Sequence, residues 1–273
     1  MEIEIITIFC ICNDYLNAIE YKDDSQSKMS TAEVMTVALV ASKYFGGNYE
    51  KSRKFLSGHN YIKNMLSKSQ FNRRLRSIDS IVWQNLFYLI SKVFKQTNID
   101  NEYIIDTFPV PVCHNIRISR CKIYNEKQYR GYSASKKQYF FGLKVAIIAT
   151  NNKQPVEFIF FPGSFHDSTI SKHLNFDLPE GSKVYGDSAF SDEWFESILK
   201  DSCKIKPMFD KKTNSKKPHS LWDEYLIKKN RKSIETTISS ITNLFPKKIH
   251  SVTAFGFELK IFCFILVYAI SFL

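Results

Sequence analysis

The hydrophobic pattern changes period once, near residue 100, and that change divides the chain into two kinds of structure. Before it the spacing is helical. Ser30 with Glu33 three positions on forms a capping-box start, and Val34, Val37, Ala38, Ala41 and Phe45 mark one apolar face that ends at Gly46-Gly47. Further helices are expected over 49–57, 69–77 and 80–96. From Glu102 onward the pattern shortens to apolar runs of β type: Tyr103 to Ile105, Phe140 to Ile148, and Val156 to Phe161, with Asn151-Asn152 as the turn of a hairpin. The expected organisation is an all-α domain over 1–98 and an α/β domain over 99–273, with a basic insertion at 109–138.

The order within the second region sharpens the fold class. After Pro162-Gly163 come a polar loop and a short helix near 167–175. Ser182 to Asp187 then reads as a strand ending on an acid, followed by a helix near 191–200, a strand at Cys203 to Ile205 and a long last helix. The sequence β, β, β, α, β, α, β and a closing helix is that of an RNase H-like α/β domain, a mixed sheet flanked by helices. Asp106 follows the first strand and Asp187 ends the fourth. If those strands are neighbours, both carboxylates face one crevice although 81 positions separate them. Glu235 lies in the helix of Ile234, Ile238, Ile241 and Phe245, a stripe that would pack on the sheet and leave Glu235 beside its edge.

Three converging carboxylates repel one another unless a cation lies between them. Hard oxygen ligands select Mg²⁺, with Mn²⁺ as the alternative, and such ions support in-line phosphoryl displacement. Each acid also has a plain structural explanation: a turn cap for Asp106 and Asp187, and an ion pair with Arg231 for Glu235. The charge balance favours chemistry on a polyanion. Lys and Arg number 38 against 27 Asp and Glu, a net +11, which suits nucleic acid or an anionic membrane surface. No membrane partner is expected, because the apolar run Ile261 to Leu273 is short of the ~20 residues that span a bilayer and reads as a buried helix. The N-terminus lacks a signal-peptide pattern. The cysteines (Cys10, Cys12, Cys113, Cys121, Cys203, Cys263) are scattered with no zinc-site spacing, as expected of reduced thiols in the cytoplasm.

Several stretches resemble the transposases of the IS982 insertion-sequence family. They are Ile105 to Cys113, Gly131 to Lys144, Pro162 to Asp167, Gly186 to Phe190 and Arg231 to Glu235. Ser188-Ala189 stands where Lys-Gly is common in such proteins. The resemblance implies a bacterial DDE enzyme with an RNase H-like core, Asp106, Asp187 and Glu235 as its catalytic and metal-holding triad, and Mg²⁺ as cofactor. It also implies that the substrate is double-stranded DNA, the element's own terminal inverted repeats and their target. Two ends must be held together, so a homodimer on DNA is expected, in a nucleoid-associated, cytoplasmic protein.

Basic residues around the acids are the expected DNA contacts. Between the first two strands Arg117, Arg120, Lys122, Arg130, Lys136 and Lys137 interleave with Tyr124, Tyr129 and Tyr132, a pattern fitting phosphates and stacked bases. His166, beside Asp167, and the pair Arg231 and Lys232 complete the set. Lys211, Lys212, Lys216 and Lys217 read as a basic loop. Lys51, Arg53, Lys54, Lys63, Lys68, Arg73, Arg74 and Arg76 make the N-terminal helices compatible with a helix-turn-helix-like DNA-binding domain. Two other functions fit the residues: a nuclease with the same core but no strand transfer, and a DNA-binding remnant that has lost activity.

Overall fold

A computed structural model describes residues 1–134, 137–211 and 219–273. Lys136 and three lysines of the expected basic loop, Lys212, Lys216 and Lys217, lie outside the described residues. The chain divides into two compact units, one of Met1–Leu89 with Ile241–Leu273, the other of Ile90–Ser240.

The first unit is helical and organised around one buried helix. Helix α1 (Glu2–Ala18) precedes α2 (Thr31–Tyr44), α3 (Tyr49–Gly58), α4 (Lys68–Ser77) and α5 (Ser80–Thr97), which crosses the boundary at Leu89. Ser30 and Glu33 form the expected capping box on α2, and Asn48 and Ser67 cap α3 and α4. Along α2 the residues from Thr31 to Ser42 are buried except Glu33, so the helix needs neighbours on every side. Those neighbours are α1, α3, α4 and the C-terminal helix, Ala254–Ile270. Small side chains at Ala38, Ala41 and Ser42 permit close approach, and the hydroxyls of Thr36 and Ser42 donate back to the carbonyls of Ala32 and Ala38.

The apolar run near the C-terminus thus forms a buried helix, and among the described residues no helix is long and apolar enough to cross a membrane. Its burial explains why the compact units depart from the expected division at 98/99. A helix with Ile261, Cys263, Phe264, Ile265 and Leu266 all fully buried finds its apolar partner in α2, far away in sequence.

In the second unit the α/β order is as expected except for one added strand inside the expected basic insertion, and boundaries shift. Strand β1 (Glu102–Cys113) is followed by β2 (Arg130–Ser133), β3 (Gln138–Thr150) and β4 (Pro155–Pro162). Then come the short α6 (Asp167–Ile170), β5 (Lys183–Gly186), α7 (Glu193–Asp201), β6 (Lys206–Phe209) and α8 (Leu221–Asn243), so that the C-terminal helix is α9. The sheet runs β2-β3-β1-β5-β6, with β4 also on β3. β1, β2 and β4 are antiparallel to β3, whereas β5 is parallel to both β1 and β6.

Two expectations are corrected. Residues 109–113, expected to begin the basic insertion, continue β1. Pro109 and Pro111 are tolerated there because β5 pairs only with Glu102 to Ile104, leaving the second edge of β1 without a described partner strand. The last strand, expected at Cys203 to Ile205, lies at 206–209. Lys204 takes a left-handed turn (φ 56°), and Pro207 is accommodated because β6 is an edge strand.

Truncating the centre of α9 tests its place in the helical core. Phe264→Ala is expected to cost about 3–5 kcal/mol, the range for removing a fully buried phenyl ring, seen as a lowered urea midpoint with native-like far-ultraviolet circular dichroism before the transition.

Candidate active site

Asp106 and Asp187 are brought together by the way β1 and β5 part. The two strands pair in parallel with Tyr103 opposite Val184 and Ile104 opposite Tyr185. One step further, Ile105 lies against Gly186, where an added Cβ would stand 2.8 Å from the Ile105 Cγ2 and 3.0 Å from the Phe209 ring. Only glycine admits that approach. The next position on each strand is an aspartate, so a missing side chain at 186 sets the distance between the two acids.

Each carboxylate is held by the backbone beside it. Asp106 Oδ1 accepts from the Thr107 amide at 2.7 Å, and Asp187 Oδ1 caps the turn Ser188–Phe190 by accepting from the Ala189 amide at 2.7 Å. A third acid, Asp167, accepts from the Thr107 hydroxyl at 2.9 Å and pairs with Lys144 at 3.1 Å. Asp106 keeps a narrow opening to solvent, but protein surrounds most of its carboxyl group. That burial lifts its pKa from the ordinary 3.8 to about 7. The Thr107 amide opposes the rise, Asp187 and Asp167 add to it, and Arg231 opposes it.

Helix α8 supplies the cation. Its inward side carries Ile227, Asn230, Ile234, Thr237 and Ile241, all buried, and Ser233 donates to the carbonyl of Asn151 in the β3–β4 turn. Arg231 pairs with Asp210 at 3.3 Å, and its positive charge is the least of the influences on the Asp106 pKa. Asp210 follows β6 directly, and its amide donates to the Gly186 carbonyl. The sequence reading missed it because β6 was placed too early. A strand ending at Phe209 would have put a third acid at a neighbouring strand end.

Glu235 is exposed, one turn beyond Arg231. Among the described residues no three His, Cys, Asp or Glu side chains converge as a metal-holding group. Asp106 and Asp187 are thus assembled by the sheet, and Glu235 is not assembled with them. The pair itself suits a hard divalent cation. Its donors are carboxylate oxygens, and one of them is kept from ionising by its neighbours and its burial.

The basic loop is pinned beside this crevice. Gly131 and Gly163 meet backbone to backbone, and a Cβ on Gly131 would overlap the Gly163 carbonyl. The Ser164 amide donates to the Gln128 carbonyl at 2.9 Å, three residues before Asp167. Arg117, Arg120, Lys122, Arg130 and Lys137 are exposed there and form no ion pair among the described residues. Tyr132 and Tyr139 are half or more exposed, with ring centroids 5.0 Å apart. Tyr124 instead is buried and stacks on Tyr129 at 4.1 Å, so that pair forms the loop's own core. His166 and Lys232 are exposed.

The raised pKa of Asp106 gives a signed dependence on pH in metal-free buffer. Below pH ~4 the carboxyl is protonated folded or unfolded and contributes nothing. As pH rises towards 7 only the unfolded chain ionises, so stability falls, and above that the deficit is constant. Asp106→Asn is therefore expected to melt above the native protein at pH 8 and level with it at pH 4. Equal melting temperatures at both values would contradict the assignment.

The family described as transposase DDE domain matches residues 95–251, more than half of the chain, a span that contains Asp106, Asp187 and Glu235. No curated protein and no solved structure matches the chain. With a domain match of that extent on a mixed sheet that carries Asp106 within β1 and Asp187 just past the end of the neighbouring β5, the chain belongs to the transposase DDE domain family.

Proposed function

We propose that this DDE transposase serves a bacterial insertion sequence of the IS982 type. It binds the element's terminal inverted repeats and performs metal-dependent cleavage and strand transfer, with Asp106, Asp187 and Glu235 as its catalytic triad. The observation that carries the reading is the placement of Asp106, where β1 parts from the parallel β5, and of Asp187, just past the end of β5, in a chain of net charge +11. The RNase H-like reading of the catalytic core is supported by the strand order β4-β3-β1-β5-β6, antiparallel on one side of β1 and parallel on the other.

Asp106 and Asp187 would hold the cation, Mg²⁺ or Mn²⁺, and Glu235 joins them when DNA occupies the crevice. When bound, such an ion activates the attacking oxygen and stabilises the leaving one. The protein's own residues do the rest. Lys144 pairs with Asp167, which accepts from the hydroxyl of Thr107, the residue whose amide donates to the Asp106 carboxylate. Arg231 exchanges Asp210 for a phosphate of the scissile strand, and the exposed cations of the basic loop, with His166 and Lys232, hold the flanking backbone. Strand transfer requires two ends at once, so the active species is a homodimer on double-stranded DNA, nucleoid-associated in the cytoplasm.

Cleavage and joining are tested with a labelled duplex carrying the repeat that flanks the coding sequence. Asp106→Ala, Asp187→Ala and Glu235→Gln are each expected to retain DNA binding and to drop to the level of a protein-free control. Full activity in Glu235→Gln would remove Glu235 from the triad, and cleavage without joining by the native protein would indicate a nuclease. Cation binding has a separate readout. Mn²⁺ at pH 8 is expected to raise the melting temperature of the native protein but not of Asp106→Asn or Asp187→Asn, and the rise should shrink towards pH 5 as protons compete for Asp106. An equal rise in all three proteins would place the cation elsewhere.

A further inference from the structure

The helical unit contains a cleft of about 970 Å³ whose two walls come from opposite ends of the sequence. One wall is α3 and α4. The other is the segment from Pro246 to Lys260, leading into and beginning α9. Phe71 and Leu75 bury one side of α4. The adjoining side presents Lys68, Ser69, Asn72, Arg73 and Arg76, five polar residues at i, i+1, i+4, i+5 and i+8, and all five line the cleft together with Phe71 and Leu75.

The charge of this cleft is one-sided. Lys51, Lys68, Arg73 and Arg76 are exposed and form no ion pair among the described residues. The one acid in the lining, Glu50, is already engaged by Arg53 and Lys54. Arg53 is buried, donates to the Leu66 carbonyl ahead of α4 and lies over the Phe71 ring, so it braces α3 against α4 as a positioning residue. Lys260 ties the other wall down, donating to the His250 carbonyl at 2.6 Å with its ammonium 4.8 Å from the centre of the Tyr49 ring. The cations from Lys68 to Arg76 extend about 12 Å along the helix at 1.5 Å per residue. That length exceeds one phosphate and suits successive phosphates of a strand. A helix with such a polar flank also fits a major groove about 12 Å wide, where Arg reads guanine edges.

We propose that this cleft seats the backbone of one strand of duplex DNA, with Lys51, Arg73 and Arg76 as its phosphate contacts. The proposal rests on the transposase reading and deepens it. The DNA-binding surface of the helical unit is completed by the chain's C-terminal segment, so the N-terminal helices alone supply only one of its walls.

The test is fluorescence anisotropy of the full chain with a mixed-sequence 30-base-pair duplex at a series of salt concentrations. Lys51→Gln/Arg73→Gln/Arg76→Gln is compared with Lys22→Gln/Lys28→Gln/Lys92→Gln, which removes equal charge from exposed sites outside the cleft. The cleft variant is expected to bind at least about tenfold more weakly near 0.1 M salt and to lose roughly 2–3 from the slope of log K against log salt, at about 0.9 per released phosphate contact. The control should change little. A cleft variant no weaker than the control overturns the proposal while leaving the transposase reading intact, and a native protein that binds no duplex overturns both. A second measurement does not depend on removing charge. A photocrosslinker at Val252→Cys, on the far wall and 80% exposed, should capture the duplex more efficiently than one at Lys22→Cys. Equal capture would also sink the idea.

Discussion

The crevice of this protein depends on one close approach, that of Gly186 to the side chain of Ile105. Two parallel strands bring like charges to the same sheet end only if nothing at their last paired position holds them apart, and the absent Cβ at 186 meets that condition. The cost appears one residue later. Asp106 sits in a place where its charge is poorly solvated and faces Asp187 and Asp167, so its proton is held to about pH 7. A fold selected for stability alone would put an apolar residue there. A site built to receive a cation accepts the strain, because the ligand that relieves it binds where the protein is least comfortable without it.

What could be read from the sequence follows from how local each signal is. The capping box at Ser30 and Glu33, the hairpin turn at Asn151-Asn152 and the strand ending at Asp187 each depend on a few adjacent residues, and the structure places each where its pattern put it. The losses came where distant partners decide. β1 continues through Pro109 and Pro111 because the missing amides fall on an unpaired edge, which no local pattern reports. β6 starts after Lys204 because of its left-handed turn, and the displacement hid Asp210. The C-terminal helix was recognised as buried, but its partner, α2, lies more than 200 positions earlier and was invisible to periodicity.

The candidate site divides in the same way. Asp187 was legible because an acid closing a short strand is a local feature; Asp106 was expected at a strand end too, and lies instead within β1, just past the point where its pairing with β5 stops. Glu235 was assigned from the phase of a helical stripe and the resemblance, and phase fixes which side of a helix packs, not how far a flanking side chain reaches. Of the expected stripe on α8, Ile234 and Ile241 are buried, Ile238 is only partly buried and Phe245 lies beyond the helix, while Thr237 is buried instead.

Arg231 lies on the same helix as Glu235, pairs with Asp210 just after β6, and its positive charge opposes the raised pKa of Asp106. In the proposed mechanism a divalent cation held by Asp106 and Asp187 would supply positive charge from within the crevice, a phosphate would compete with Asp210 for Arg231, and a third carboxylate would then be easier to accommodate than it is beside two aspartates alone.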